Sequence, residues 1–164
     1  MMTNPGPDDE AQRVREAAFR LLAVRARSAR ELLRRLRQKG FATELIEELI
    51  ADLQAKGYQS DEEFARQYAL EKWTSSGWGP ARVRQALAEK GIAPDLRDRI
   101  IGEVYEETDL PQAVLPLAAK RWRATENLPE ATRKRRLIGF LQRRGYNWEV
   151  IQSVMAEIER GSGS

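Results

Sequence analysis

Apolar residues recur with helical spacing on both sides of three glycines. A leucine or valine stands eight and four residues before each glycine, and an apolar residue follows directly: Leu32, Leu36 and Phe41 at Gly40; Val83, Leu87 and Ile92 at Gly91; Leu137, Leu141 and Tyr146 at Gly145. Beyond each glycine the apolar positions continue in steps of three, four and five residues. Such spacing is helical. It predicts a middle helix that ends at the glycine and a trailing helix after it.

Each glycine also carries the local marks of a helix end. The preceding residue is a cation, Lys39, Lys90 or Arg144. Glycine adopts the left-handed conformation that closes many helices, and a cation in the last turn interacts favourably with the terminal carbonyls. The repeated Lys-Gly or Arg-Gly pair therefore predicts three equivalent helix ends.

Helix starts are marked by a capping residue with an acid three positions later. The pairs are Ser28 with Glu31, Ser60 with Glu63, and Asn127 with Glu130. Leading helices are predicted over roughly 11–26, 61–75 and 111–124. Pro116 would delay or kink the third of these.

A leading, a middle and a trailing helix around each glycine form one unit, and this unit occurs three times in the chain. We predict a disordered N-terminus over 1–10, three-helix repeats over 11–59, 60–109 and 110–160, and a flexible tail over 161–164. The fold class predicted is therefore all-α, a tandem array in which each unit packs on its neighbours.

The amino-acid composition excludes several kinds of catalytic and metal site. The 164 residues include no histidine and no cysteine, which removes the commonest general base, thiolate nucleophiles and zinc sites built from either residue. Adjacent carboxylates such as Glu47 and Glu48 point about 100° apart on a helix and do not converge on one site. No Walker-type phosphate loop is present. We expect no enzyme, no cofactor and no metal. Without a membrane span or a secretory signal, we expect a cytoplasmic protein.

The net charge is +3, and basic and acidic segments alternate along the chain. Residues 11–40 carry +8, 41–64 carry −6, 65–91 carry +3, 92–112 carry −4 and 113–144 carry +7. Leading and middle helices are thus basic and trailing helices acidic. A charge run is often only a solvated face, but stacked units would align equivalent helices into a basic stripe that suits an extended anionic partner.

Arginines opposite the leucines of two middle helices are the sharpest candidates for partner binding. They are Arg30, Arg34 and Arg35 on one helix and Arg135, Arg136 and Arg143 on another. The wider predicted basic face adds Arg25, Arg27, Lys72, Arg82, Arg84, Lys90, Arg121 and Arg123. Trp78, between Gly77 and Gly79 in a predicted loop, is either a packing residue or a platform for base stacking.

Three phrases in the chain resemble the RecX regulatory proteins. They are "LLAVRARSARELLRRLRQKGF" over 21–41, "SDEEFARQYA" over 60–69 and "GPARVRQALAEKGI" over 79–92, and the likeness extends over roughly 15–158. It is weakest in the third unit. The residues that form its structural signature are Ser28, Glu31, Leu36, Gly40, Asp61, Phe64, Gly79, Leu87, Gly91, Leu141 and Gly145.

The resemblance implies an elongated, curved molecule that acts as a cytoplasmic, non-enzymatic regulator. Its implied partner is the filament that the recombinase RecA forms on DNA, where it would limit ATP hydrolysis, strand exchange and filament extension. We expect a monomer with weak, nonspecific affinity for single- and double-stranded DNA. The residues alone leave two alternatives. One is a stand-alone DNA-binding repeat protein, although its acidic trailing helices would make poor recognition helices, and the other is a helical-repeat adaptor for some other protein.

Overall fold

The computed structural model describes residues 6–163, which form nine α-helices and no strand. The helices are α1 (Pro7–Val24), α2 (Ala29–Gln38), α3 (Thr43–Ala55), α4 (Asp61–Ser76), α5 (Pro80–Glu89), α6 (Pro94–Tyr105), α7 (Leu110–Arg123), α8 (Glu130–Arg143) and α9 (Trp148–Ser162). None of the helices within 6–163 is both long enough and apolar enough to cross a membrane.

Each set of three consecutive helices packs around its own core. Leu32 and Leu36 of α2 are fully buried between α1 and α3, and Val83 and Leu87 of α5 are fully buried in the second unit. Leu141 holds the same place in the third unit. The predicted all-α array of three three-helix repeats is confirmed. We call these units 1, 2 and 3.

The three glycines are equivalent helix ends, as predicted. Gly40, Gly91 and Gly145 follow α2, α5 and α8 with φ of +93°, +80° and +95°. In each case the next residue donates its backbone N–H to the carbonyl five positions back, as Phe41 does to Leu36 at 3.3 Å. This bond satisfies one of the carbonyls that a helix end leaves without a partner.

Two of the three predicted N-caps are present. The Ser28 and Ser60 side chains accept hydrogen bonds from the backbone N–H groups of Glu31 and Glu63, each at 3.2 Å. The prediction for Asn127 is wrong, because α8 starts after Pro129 without a side-chain cap. Residues 124–128 instead form turns after α7, where Leu128 N–H donates to Thr125 O at 3.0 Å.

Both ends of the chain are more helical than the sequence predicts. Helix α1 begins at Pro7, with three acidic residues in its first turn, a favourable position beside the positive end of the helix dipole. Helix α9 continues to Ser162, whose hydroxyl accepts a hydrogen bond from Trp122 Nε1 at 3.1 Å. Residues 7–10 and 161–162 are therefore helical. Residues 1–5 and 164, in the ranges predicted as disordered or flexible, lie outside the described residues.

Helix α7 begins at Leu110 and runs through Pro116 to Arg123, so Pro116 does not delay its start. Pro116 is exposed, and solvent can reach the carbonyl that its missing N–H leaves unbonded. The start is secured by Asp109, whose side chain accepts a hydrogen bond from Gln112 N at 3.2 Å.

Candidate functional site

A buried polar cluster holds the beginning of α2. Arg27 is only 7% exposed, and it donates to Glu31 Oε1 at 2.8 Å and to the Leu21 carbonyl at 3.1 Å. Arg25 also binds the Glu31 carboxylate. The predicted place of Arg27 on the exposed basic face is wrong, because this side chain turns inward to neutralise a buried carboxylate.

The electrostatics of Glu31 follow from this pairing. Burial acts to raise the pKa of Glu31, but hydrogen bonds and charge from Arg25 and Arg27 outweigh burial and hold the pKa below its ordinary value. Glu31 is therefore ionised at neutral pH. Both carboxylate oxygens of Glu31 accept hydrogen bonds from arginines, and these bonds offset the cost of burying its charge.

The same cluster extends into unit 2. Asp61 Oδ1 accepts hydrogen bonds from the backbone N–H of Ala29 at 2.8 Å and from Gln59 Nε2 at 2.9 Å. Gln59 also donates to the Arg27 carbonyl at 3.2 Å. These bonds link the start of α2 to the start of α4. Ser28, Glu31 and Asp61 are thus placed together at the joint between units 1 and 2.

Hydrogen bonds to backbone carbonyls hold the joint between units 2 and 3. Gly79 N–H donates to the Arg144 carbonyl at 2.6 Å, and Ala81 N–H donates to the Gly145 carbonyl at 3.1 Å. The Tyr146 hydroxyl donates to the Gly77 carbonyl at 2.7 Å. The carboxyl end of α8 therefore meets the amino end of α5, an arrangement in which the two helix dipoles attract each other.

Trp78 is a packing residue of that joint. Lys72 and Arg82 lie over its ring, at 5.1 and 3.9 Å from the centroid. Its carbonyl accepts a hydrogen bond from the Tyr105 hydroxyl at 2.7 Å. Cation–π contacts with two side chains stabilise this position. The structure therefore favours the packing interpretation of Trp78, and it commits Lys72 and Arg82 partly to holding the ring.

A groove of about 830 Å³ lies between units 1 and 2. One wall is α2, which contributes Arg30, Arg34 and Arg37, and the opposite side is formed by Tyr68 of α4 and by the end of α5 with Lys90. Within residues 6–163, none of these four cations has a carboxylate within 4.0 Å. Of the predicted basic residues, the structure brings Arg30, Arg34 and Lys90 together here.

Other predicted basic residues are placed elsewhere. Arg35 is exposed on α2 outside the groove lining. Arg84 pairs with Asp98 at 3.2 Å, and Arg121 lies over the Phe140 ring at 4.7 Å from the centroid. The exposed residues at α7 and α8 are Arg123, Arg135, Arg136 and Arg143. The basic residues thus form several surfaces. Arg30, Arg34 and Lys90 line the groove between units 1 and 2, and Arg82 lines a second groove of about 870 Å³ between units 2 and 3.

Acidic and basic residues on α4 and α6 neutralise each other. Glu62 accepts hydrogen bonds from Arg99 at 2.8 Å and Arg66 at 3.0 Å, and these bonds lower the pKa of Glu62. Arg66 also donates to Glu103 at 3.0 Å. This surface is a network of exposed ion pairs, which carry modest energies. It contrasts with α2, whose groove arginines face no such partner among residues 6–163.

Two groove residues were missed by sequence reasoning. Arg30, Arg34 and Arg37 are separated by four and three residues, which puts them on one face of α2. This spacing is visible in the sequence. Tyr68 carries no such signal, because its proximity to α2 depends on how unit 2 packs on unit 1.

The architecture defines a protein built from tandem three-helix repeats, and models of RecX domains match the chain in order. The first three-helix domain of RecX matches residues 15–53, the second 60–99 and the third 107–155. The regulatory protein RecX of Amycolatopsis mediterranei (strain U-32) is 35% identical over 158 residues, covering 96% of this chain and 90% of the relative. That of Legionella pneumophila (strain Corby) is 33% identical over 146 residues, covering 88% and 93%. The chain belongs to the RecX family of regulatory proteins.

A solved structure agrees on the fold. The crystal structure of RecX from Lactobacillus salivarius superimposes with a TM-score of 0.82 at 21% identity, covering 93% of this chain and 98% of that one. At this identity the likeness concerns the fold. It supports the same three-unit architecture.

Proposed function

We propose that this chain is a non-enzymatic, cytoplasmic regulator that binds the RecA filament on DNA and limits ATP hydrolysis, strand exchange and filament extension. The observation that carries the proposal is the ordered match of all three RecX domains. Relatives of similar length carry the name regulatory protein. The action on RecA is what the family resemblance implies for this chain.

The geometry supplies a physical route to such an activity. The three units follow one another along the chain, and cations lie on α2 of unit 1 and on α8 of unit 3. Among residues 6–163, no carboxylate lies within 4.0 Å of Arg34, Arg35, Arg135 or Arg136. A repetitive partner such as a filament offers anionic groups at repeated positions. Contacts made by two units of one chain reinforce each other, because the first contact raises the effective concentration of the second.

The test is a titration of the protein into RecA assembled on single-stranded DNA, with ATP hydrolysis and strand exchange measured at moderate salt. The expected result is a concentration-dependent decrease in both rates. Unchanged rates over a broad concentration range would contradict the proposal. Sedimentation of filaments with and without the protein shows whether the decrease accompanies binding.

A stand-alone role in DNA binding is the alternative. The groove between units 1 and 2 favours it, because four cations line the groove without a carboxylate within 4.0 Å among residues 6–163. The acidic surface of α3 opposes it, since a recognition helix needs a basic or neutral surface. Salt-dependent DNA binding measured with and without RecA separates the two functions.

A further inference from the structure

The hydrophobic cores of units 2 and 3 are joined, whereas the core of unit 1 is separate. Trp73 of α4 and Leu110 of α7 pack against the cores of both unit 2 and unit 3. Among residues 6–163, the apolar side chains that form or border the core of unit 1 all belong to residues 14–53. Because a large apolar contact is what prevents two packed bodies from moving relative to each other, units 2 and 3 form one rigid body and unit 1 forms another.

The contacts between units 1 and 2 are polar. Asp61 accepts a hydrogen bond from the backbone N–H of Ala29 at 2.8 Å, and Gln59 donates one to the Arg27 carbonyl at 3.2 Å. Each such bond replaces a bond to water and therefore contributes a modest net free energy. The joint between units 1 and 2 is thus held by a few hydrogen bonds, which restrain it without a shared core.

The chain segment at this joint is suited to bending. Residues 56–60 connect α3 to α4 and include Gly57, which has a φ of +79°. The corresponding connection between α6 and α7, residues 106–109, contains no glycine. Hinges are formed by a few connecting residues that absorb changes in φ and ψ, and these residues are often small.

The two walls of the groove between units 1 and 2 belong to the two different bodies. Arg34 and Arg37 lie on α2 of unit 1, and Tyr68 and Lys90 lie on unit 2. Any rotation of unit 1 about residues 56–60 therefore changes the distance between these walls. The volume of about 830 Å³ describes one position of the joint.

Gly91 limits how closely the two bodies approach. A Cβ on Gly91 would lie 2.7 Å from Arg30 Cβ, whereas carbon atoms in contact lie about 3.5–4.0 Å apart. The beginning of α2 therefore rests directly on the turn that ends α5. Because Gly91 has no side chain, this contact is the stop that sets the closed position of the groove.

We infer that residues 56–60 are a hinge about which unit 1 moves against a rigid body made of units 2 and 3, so that the groove between units 1 and 2 opens and closes. The hydrogen bonds of Asp61 and Gln59 restrain this hinge, and the contact of Arg30 with Gly91 is its closed stop. The hinge is a property of the chain by itself and goes beyond the proposed function. Its test therefore requires no recombinase.

The experiment measures distances between pairs of spin labels by double electron–electron resonance on the full chain. The chain has no cysteine, so introduced cysteines are the only labelled sites. Arg35→Cys/Gln85→Cys spans α2 and α5 of units 1 and 2, and Gln85→Cys/Arg136→Cys spans α5 and α8 of units 2 and 3. All three positions are exposed. The first distance distribution is expected to be at least about twice as broad as the second, because only the first joint lacks an apolar contact. Equal widths would overturn the inference.

Alanine at the glycine turns tests the closed stop. Gly91→Ala places a methyl group against Arg30, so the mean distance of the first pair is expected to increase by about 1 Å or more, the separation that restores normal carbon contact. Gly145→Ala is expected to shift the second pair by less, since units 2 and 3 cannot separate without breaking their shared core. Gly40→Ala is the control for the backbone change, because it meets no atom within 4 Å, and it should leave both distances unchanged. A shift in Gly145→Ala as large as that in Gly91→Ala would overturn the inference.

The restraint is tested at Asp61. Asp61→Ala removes the acceptor for Ala29 N–H and is expected to broaden the first distribution further. Asp61→Asn keeps an acceptor oxygen at the same place and is expected to retain the width of the parent. Thermal denaturation shows whether each variant is folded. If Gly91→Ala does not fold, the widths of the parent and of the two Asp61 variants decide the question, and an unchanged width in folded Asp61→Ala would overturn the assigned restraint.

The outcomes for the hinge and for the proposed function are separate. If the distances behave as expected but the chain leaves RecA activity unchanged, only the proposed function fails. If the chain inhibits RecA but the first distribution is as narrow as the second, only the hinge fails.

Discussion

Gly145 lies directly against Arg82, and this contact joins unit 3 to unit 2. A side chain on Gly145 would place its Cβ 2.6 Å from Arg82 Cβ and 3.0 Å from Arg82 Cα. The same relationship occurs one unit earlier, where a Cβ on Gly91 would lie 2.7 Å from Arg30 Cβ. Thus the glycine that ends α8 packs against the beginning of α5, and the glycine that ends α5 packs against the beginning of α2.

Substituting the three glycines distinguishes the stability that depends on the left-handed helix end from the stability that depends on contact between units. Gly40→Ala meets no atom within 4 Å and is expected to lose about 1–2 kcal/mol from its left-handed backbone alone. Gly145→Ala is expected to lose a further 1–3 kcal/mol or so, because it also crowds the backbone of α5. Gly91→Ala should fall between them, since its near neighbours are the Cβ, Cγ and Cδ of Arg30 and include no backbone atom. Urea denaturation gives the order, and equal losses at all three positions would contradict it.

The sequence predicted the glycine ends and two caps because these features are local. A helix end needs a residue that tolerates positive φ, and a cap needs an oxygen within a few residues of a free N–H. The contact between Gly145 and Arg82 leaves no such local mark. It joins residues more than sixty positions apart, so the glycine's second role became visible only with the fold.

Arg27 shows the limit of periodicity. It stands just before the N-cap Ser28, in the connection between α1 and α2, where helical spacing does not indicate the direction of a side chain. Charge pattern alone placed it on the surface. Its burial depends on Glu31, four residues later, and on the Leu21 carbonyl, which both accept hydrogen bonds from it. Only the folded backbone brings these acceptors together.

The ion pair between Arg27 and Glu31 is expected to be a major stabilising contact. Arg27→Ala leaves a buried carboxylate with one arginine fewer and should cost up to about 3 kcal/mol, toward the lower end of the range for broken buried pairs because Arg25 remains. Chemical denaturation measures the loss. A loss below about 0.5 kcal/mol would show that the pair contributes no more than a surface contact.

Acid should weaken the protein partly through Glu31. Because the folded-state pKa of Glu31 lies below its ordinary value of 4.5, ionised Glu31 stabilises the fold above about pH 4.5, and this contribution disappears as the pH falls through the folded-state pKa. Glu31→Gln should therefore show a shallower loss of stability in acid than the parent. Glu48→Gln, at an exposed position on α3, is the control and should follow the parent curve.

The last turn of α9 is expected to contribute to the stability of unit 3. Ser162→Ala removes the acceptor for Trp122 Nε1, so stability should fall by about 1 kcal/mol. In a Trp122→Phe background the same substitution should cost less, because the Trp122 donor is already gone and only the bond from the Ser162 hydroxyl to the Ile158 carbonyl at 3.0 Å is lost. A double-mutant cycle by thermal denaturation measures this coupling. Additive effects would mean that the hydrogen bond does not contribute.

Reversing exposed arginine pairs tests which unit contacts the recombinase filament under the proposed function. The two variants are Arg34→Glu/Arg35→Glu on α2 and Arg135→Glu/Arg136→Glu on α8. Arg30 is left intact because its side chain packs against the turn at Gly91. All four substituted side chains are exposed and have no ion-pair partner within residues 6–163. Each single change should therefore alter stability by less than about 0.5 kcal/mol.

The proposed inhibition of RecA should nevertheless weaken steeply in at least one variant, since each reversal replaces two attractive charges with two repulsive ones. The measurement is the concentration of protein that halves ATP hydrolysis on single-stranded DNA, repeated at two salt concentrations. An affected variant should also show a weaker salt dependence, because fewer ionic interactions remain to be screened. The Arg13→Glu/Arg20→Glu variant, at two exposed arginines of α1, controls for net charge. Undiminished inhibition by both folded variants would mean that these arginines only keep α2 and α8 solvated, and the filament would have to bind another surface.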